Sequence, residues 1–209
     1  QPLKVMLENK DGTKQAFLFQ RHHLQGLASG MIADPQRFVG YLLKLYKSLD
    51  NGSLEVLDSI LKRGFFNDNQ IGFEAMSFAM DIASGITNER LNIVNQQAKS
   101  SLLGLALNFP MPLLDKAVKG LDLGDEFRKK PQSNVPTLLL SGTLDGRTYI
   151  DSQYEATEGL TNLTKVTVEN AGHNLFMRSP KVTQVIKAFL SNEPIEHTTI
   201  TVELPDFLK

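Results

Sequence analysis

Apolar residues in the first half of the chain recur at the spacing of one helix face. Phe38, Leu42 and Leu45 follow one another at intervals of three or four residues. Asp34 stands directly before Pro35, which is typical of an N-cap followed by a proline in the first helical turn. The pattern therefore predicts a helix that begins at Pro35. Similar spacing predicts three more helices, over about residues 54–61, 72–83 and 88–107.

Two short apolar segments precede these helices. Leu3–Leu7 and Gln15–Phe19 flank a polar stretch that contains Asp11 and Gly12. An Asp-Gly pair between two such segments is typical of a tight hairpin turn. The sequence thus predicts an N-terminal β-hairpin.

The pattern changes after about residue 132. Residues 135–140 are apolar apart from Thr137, and a short apolar run is typical of a strand buried on both faces. A second strand is predicted at 165–168, and helices are predicted over 152–160 and 179–189. Strand–helix–strand–helix order predicts a parallel sheet. The alternating tail, residues 195–209, is expected to be an extended segment that lies on the body of the protein.

Composition removes several classes of function. The chain has 209 residues, 41% of them hydrophobic, which is enough to bury a sizeable core. Its 22 basic and 23 acidic residues leave a net charge of −1, which argues against a nucleic-acid or anionic-membrane partner. The absence of cysteine excludes disulfides, thiolate nucleophiles and cysteine-based zinc sites. No apolar run approaches the roughly 20 residues of a membrane span. These features are compatible with a cytoplasmic location and with an exported or periplasmic one.

Two loops that follow the predicted parallel strands hold residues capable of proton transfer. Asp145 lies in the loop after the first strand and His173 in the loop after the second. Functional residues of open α/β sheets lie at the carboxyl ends of the strands, so these side chains are expected to meet. The carboxylate would fix the imidazole tautomer, and the other ring nitrogen could then accept a proton from a nucleophile. The alternative is a turn aspartate and an unrelated loop histidine.

The sequences around these residues resemble those of a known family. VPTLLLSGTLDGRT and VTVENAGHN are similar to the end of an α/β-hydrolase, of the proline iminopeptidase and tripeptidyl aminopeptidase group. The resemblance implies that Asp145 is the acid and His173 the base of a catalytic triad. Weaker similarity to the cap domain of that group extends over LASGMIADP and EAMSFAMD, and ITVELPDF is similar to its ending.

This resemblance implies a fold and a domain organisation. The implied fold class is α/β. The chain would comprise the C-terminal part of an α/β-hydrolase sheet and a mainly helical cap domain that carries the N-terminal hairpin. Residues 1–130 would form the cap, and residues 131–209 the last portion of the catalytic domain.

The family's nucleophile is missing. It lies in a G-x-S-x-G elbow upstream of the cap, and no serine in the chain has glycine two residues before and two after it. We therefore expect a C-terminal fragment that is inactive alone. Its parent would be a serine hydrolase, without a cofactor, that cleaves peptides at the N-terminus or small amides and esters. Esterase or dehalogenase chemistry and a non-catalytic binding or assembly module are the alternatives.

Two acidic residues are candidates for substrate binding. Glu74 and Asp81 lie seven residues apart, so they share one face of the predicted third helix. The resemblance implies that acidic cap residues bind the α-amine of a substrate, and the alternative is a solvated helix face. The adjacent His22 and His23 have no carboxylate spacing that would support a metal site, so a structural role is expected.

The fragment expected here would also lack the upstream strands of the hydrolase sheet, and this affects association. The strand at 135–140 would lack one neighbour, and unpaired apolar edges recruit other strands. We expect a homodimer or larger assembly, or pairing with a separate N-terminal portion, unless the tail covers the edge.

Overall fold

A computed structural model of the chain describes residues 2–8, 12–63, 75–114, 116–176 and 178–207, without the side chain of Pro112. The strands are Leu3–Glu8 (β1), Lys14–Phe19 (β2), Thr137–Gly142 (β3), Leu163–Glu169 (β4) and Thr199–Thr201 (β5). The helices are Arg21–Met31 (α1), Pro35–Asp50 (α2), Glu55–Leu61 (α3), Ala75–Ser84 (α4), Asn88–Ser100 (α5), Met111–Leu114 (α6), Gly124–Phe127 (α7), Ile150–Ala156 (α8) and Pro180–Leu190 (α9).

Contacts divide the chain into two compact units. The first unit comprises Gln1–Ala28 and Lys44–Lys129, and the second comprises Ser29–Leu43 and Lys130–Lys209. The assignment of residues 1–130 to a cap and 131–209 to a catalytic portion stays a prediction. In the structure, the turn between α1 and α2 belongs to the second unit.

The first unit contains the β1–β2 pair. The two strands pair antiparallel with Leu3 opposite Phe19, and Val5, Leu7 and Phe19 are buried. Alternation of buried and exposed residues along β1 gives the pair one apolar face, as expected for strands with a period of two. Asp11 of the predicted turn lies outside the described residues.

One predicted helix of the first unit is wrong beyond residue 100. The pattern predicts a helix over 88–107, but α5 ends at Ser100 and turns follow. Ser101 has extended backbone angles (φ −68°, ψ 140°), and Gly104 has a positive φ of 56°. The apolar residues beyond Ser100 recur at helical spacing, but the backbone has already left the helical region.

The second unit is built on a parallel sheet, which makes this part of the chain α/β. The strand order is β3-β4-β5, with Thr137 opposite Leu163 and Thr167 opposite Thr199. The sequence predicts two parallel strands and an extended tail. In the structure a part of that tail forms β5, which pairs with β4.

The predicted first parallel strand is shifted by two residues. The sequence predicts it at 135–140, whereas β3 begins at Thr137. Val135 is exposed, and its N–H group bonds the Ser133 hydroxyl. Pro136 has no N–H group for a sheet ladder, so the continuous ladder with β4 starts only after it. Before Pro136, Ser133 makes a single isolated bridge with Leu160.

The core of the second unit lies between this sheet and α9. Val166 and Val168 of β4 and Val182 of α9 are almost completely buried, and Ile200 of β5 packs with them. Val166 and Val168 are two residues apart, so they point to the same face of the sheet. This packing fixes the sheet from which the loops after β3 and β4 emerge. No helix in the described part of the chain is long and apolar enough to cross a membrane.

Candidate active site

Asp145 and His173 lie side by side in the loops after β3 and β4. His173 Nδ1 is 2.9 Å from Asp145 Oδ2, within the hydrogen-bond distance predicted from the sequence. An ionised carboxylate can only accept, so the imidazole donates from Nδ1. The Asp145 side chain is 4% exposed and that of His173 is 43% exposed. The acid is thus withdrawn from solvent, while the imidazole stays accessible.

The other oxygen of Asp145 is held by its own loop. Asp145 Oδ1 accepts hydrogen bonds from the backbone N–H groups of Arg147, at 2.8 Å, and Thr148, at 3.0 Å. Aspartate side chains commonly bond backbone groups two or three residues further along in this way. With Oδ1 engaged, rotation of the carboxylate is restricted and Oδ2 points to His173.

The two loops are joined directly by their backbones. Leu144 N–H donates to the carbonyl of Ala171 at 2.8 Å, and Thr143 N–H donates to that of Val168 at 3.1 Å. Gly142 makes this approach possible, since a Cβ atom there would lie 2.5 Å from the Ala171 carbonyl oxygen. The close contact sets the distance between the Asp145 and His173 backbones.

The turn between α1 and α2 supports the histidine loop from another side. His173 N–H donates to the carbonyl of Ala33 at 2.9 Å, and Gly172 lies against Pro35. Arg178 and Asp34 form an ion pair at 3.1 Å between the same two segments. These contacts explain why residues 29–43 cluster with the sheet rather than with the helices that follow them.

One polar residue near the site was missed by the sequence analysis. Gln153 of α8 accepts a hydrogen bond from the Ser141 hydroxyl at 2.6 Å and donates to the carbonyl of Thr148 at 2.8 Å. Ser141 is only 2% exposed. A hydroxyl at the end of an apolar buried strand needs a partner, which is the signal that could have pointed to a polar residue on the next helix.

Only one member of the predicted substrate-binding pair lies among the described residues. Asp81 is exposed on α4. Glu74 lies outside the described residues, so the shared helix face stays a prediction. Across the described ranges, no group of three or more His, Asp or Glu side chains is arranged to hold a metal ion.

The adjacent histidines of α1 make contacts of a structural kind. His23 Nδ1 accepts a hydrogen bond from Gln20 N–H at 2.9 Å, and its ring centroid lies 4.7 Å from that of Phe17. Burial lowers the pKa of His23, and a charge on His22 lowers it further. The neutral imidazole therefore acts as an acceptor at the start of the helix.

Comparison with known families bears on the loops of the second unit. A family model described as TAP-like protein, within the α/β-hydrolases, matches residues 123–201. The match supports an α/β-hydrolase family for this chain. Comparison with curated proteins and with solved structures gave no match.

The region of α/β-hydrolase similarity contains the parallel sheet, α8, α9 and both site loops. Asp145 and His173 therefore lie within it, each after a parallel strand. An Asp–His pair in which the carboxylate fixes Nδ1 leaves Nε2 as the ring nitrogen that can exchange a proton with a nucleophile.

Proposed function

We propose that Asp145 and His173 are the acid and the base of a serine hydrolase whose nucleophile lies outside these 209 residues. The observation that carries this proposal is the 2.9 Å contact between Asp145 Oδ2 and His173 Nδ1, with Oδ1 held by two backbone donors. The similarity of residues 123–201 to the TAP-like α/β-hydrolases supports it.

In this proposal each ring nitrogen of His173 has its own task. Nδ1–H donates to Asp145, so the lone pair is on Nε2. Nε2 accepts the serine proton as the serine oxygen attacks the substrate carbonyl, and Asp145 stabilises the imidazolium that forms. Nε2–H then protonates the leaving amine or alcohol. Water attacks the acyl-enzyme, with His173 again accepting a proton and returning it to the serine.

For the substrate, we propose peptides cleaved at their N-terminus, or small amides and esters. Supporting this are the resemblance to the proline iminopeptidase and tripeptidyl aminopeptidase group and the exposed carboxylate of Asp81. In this proposal the residues 1–130 act as a cap that selects substrate, and Glu74 and Asp81 bind its α-amine.

The identity of the nucleophile separates the alternatives in part. The same Asp–His pair serves esterases and dehalogenases, and a fold alone does not decide the substrate. A serine in an upstream G-x-S-x-G elbow favours acyl transfer, and an aspartate in its place favours dehalogenation. A source gene without any elbow favours a non-catalytic binding or assembly module.

The 209-residue chain itself provides the first test. With aminoacyl-arylamide and aryl-ester substrates we expect no hydrolysis above buffer, since losing a triad nucleophile costs about 10⁴- to 10⁶-fold in rate. His173→Ala should leave that background unchanged, as should His197→Ala at an exposed position. Turnover that disappears in His173→Ala but persists in His197→Ala would show that the chain carries its own nucleophile, against the proposal.

A further inference from the structure

We propose that Gln153 is a positioning residue that holds the Asp145 carboxylate in the orientation that engages His173. This inference rests on the proposed function, because it assigns Gln153 to the same acid–base pair. The side-chain hydrogen bonds of Gln153 go to Ser141 and Thr148, so in this proposal Gln153 acts on His173 through the Asp145 loop.

A buried hydroxyl of the sheet anchors one end of the Gln153 side chain. Ser141 is next to last in β3 and is 2% exposed, and its Oγ donates to Gln153 Oε1 at 2.6 Å. Because a buried hydroxyl left without a partner is costly, this bond is strongly favoured. It fixes the amide plane of Gln153 relative to the sheet.

The other end of the amide reaches the Asp145 loop. Gln153 Nε2 donates to the Thr148 carbonyl at 2.8 Å, and Thr148 N–H in turn donates to Asp145 Oδ1 at 3.0 Å. Both backbone groups of Thr148 are therefore engaged, one by Gln153 and one by the catalytic carboxylate.

The two halves of this loop are held differently. Backbone bonds from Leu144 to Ala171 and from Asp145 to Gly142 hold the first half. The second half is held by the Asp145 carboxylate itself and by Gln153. If Thr148 moves away, Oδ1 loses one of two donors, and the carboxylate gains freedom to turn Oδ2 away from His173.

The test measures which ring nitrogen of neutral His173 carries the proton, by long-range ¹H–¹⁵N NMR of the 209-residue chain. The His173 signals are assigned as those that disappear in His173→Gln. Gln153→Met has a similar volume and makes neither hydrogen bond. We expect it to lower the ratio of the Nδ1–H to the Nε2–H form by about 2- to 10-fold, the effect of one hydrogen bond. Ser141→Ala should shift the ratio in the same direction.

A double variant of Ser141 and Gln153 shows whether Ser141 acts through Gln153 or affects His173 independently of it. If Ser141 acts through Gln153, the double variant should shift the ratio no further than the larger single variant. Gln153→Glu keeps an acceptor for Ser141 but has no donor for Thr148, so it should also lower the ratio. Gln153→Glu decides the question if the methionine variant does not fold by circular dichroism.

Two further variants make the outcome decisive. Thr157, the C-cap residue of α8, donates its hydroxyl hydrogen bond to the Gln153 carbonyl at 2.9 Å. Thr157→Val removes this bond and neither of the Gln153 side-chain bonds, so it should leave the ratio unchanged. Asp145→Asn is the reference for a lost pair. If Asp145→Asn shifts the ratio and the Gln153 variants do not, the positioning role is wrong. If Asp145→Asn itself leaves the tautomer ratio unchanged, Asp145 does not hold His173 through Nδ1. The proposed function is then wrong as well.

Discussion

Gly142 allows the loops of Asp145 and His173 to approach each other. Its added Cβ would lie 2.5 Å from the Ala171 carbonyl oxygen, and the obstacle is backbone rather than a flexible side chain. We expect Gly142→Ala to lower the free energy of unfolding by about 1–3 kcal/mol, as overpacking does. Urea denaturation measures this change.

The matched control for Gly142 is a glycine in open space. Gly30 lies in α1, and a Cβ there meets no atom within 4 Å. Gly30→Ala should raise the free energy of unfolding by about 0.5–1 kcal/mol, because alanine favours helix. Equal losses for both variants would contradict the steric account of Gly142.

His23 makes the start of α1 sensitive to pH. Its pKa is lowered in the folded chain, so between its folded and unfolded pKa values the unfolded state binds more protons. The contribution of neutral His23 to stability is complete above the ordinary histidine pKa of about 6.5. It is lost as the pH falls towards the pKa of His23 in the folded chain. Unfolding free energies measured from pH 8 to pH 5 should show this decline.

A glutamine at position 23 separates titration from capping. Gln at the third helical position can accept the same Gln20 N–H bond but does not titrate in this range. His23→Gln should therefore show a smaller decline below pH 6.5 than the wild-type chain. Identical slopes in the two proteins would assign the pH dependence to other groups.

Single residues show where sequence reasoning about the site succeeds. Asp145 and His173 could be paired because each follows a parallel strand, and the pairing is found at 2.9 Å. Gln153 could not be found in the same way. Its role depends on how α8 packs beside β3, and that packing is not encoded in local spacing.

At the level of elements, α9 begins at a cap that is visible in the sequence. Ser179 precedes Pro180, and its Oγ accepts a hydrogen bond from Val182 N–H at 3.3 Å. Since α9 covers the core of the second unit, Ser179→Ala should lower the free energy of unfolding, measured by thermal denaturation, by about 1 kcal/mol. Ser191→Ala, at the exposed C-terminal end of α9, should cost much less. Similar losses for both would contradict the capping role.

Elements that depend on distant pairing were predicted less well than capped helices. The start of α2 at Pro35 is confirmed, because a local signal marks it. The strand β5 was expected only as extended tail, since Thr199–Thr201 is too short to have a pattern of its own. β5 forms because these residues pair with β4, which is distant in sequence. In the same way, α5 ends where the backbone of Ser101 becomes extended, although the apolar spacing continues beyond it.

At the level of the whole molecule, the exposed edge of the sheet bears on association. β3 lies at one end of the β3-β4-β5 order in the described part of the chain, and Leu138 and Leu140 on it are only partly buried. The tail pairs with β4, so it does not cover β3. Unpaired apolar edges recruit strands from other chains.

We therefore predict a homodimer or larger assembly at micromolar concentration, or pairing with a separate N-terminal portion when one is present. Sedimentation velocity of the 209-residue chain measures the first of these. A clean monomer over the whole concentration range would contradict self-association through this edge.

If Asp145 and His173 are the acid and base of hydrolysis, kcat depends on both side chains. The measurement is the kcat of the protein expressed from the full source gene, with an upstream G-x-S-x-G elbow where the gene encodes one. With an aminoacyl-arylamide substrate, His173→Ala and Asp145→Asn should each lower kcat by about 10⁴-fold, with KM little changed, whereas His197→Ala should match the wild type. A kcat that is unchanged in both the His173 and the Asp145 variants would show that this pair is not the acid and base of hydrolysis.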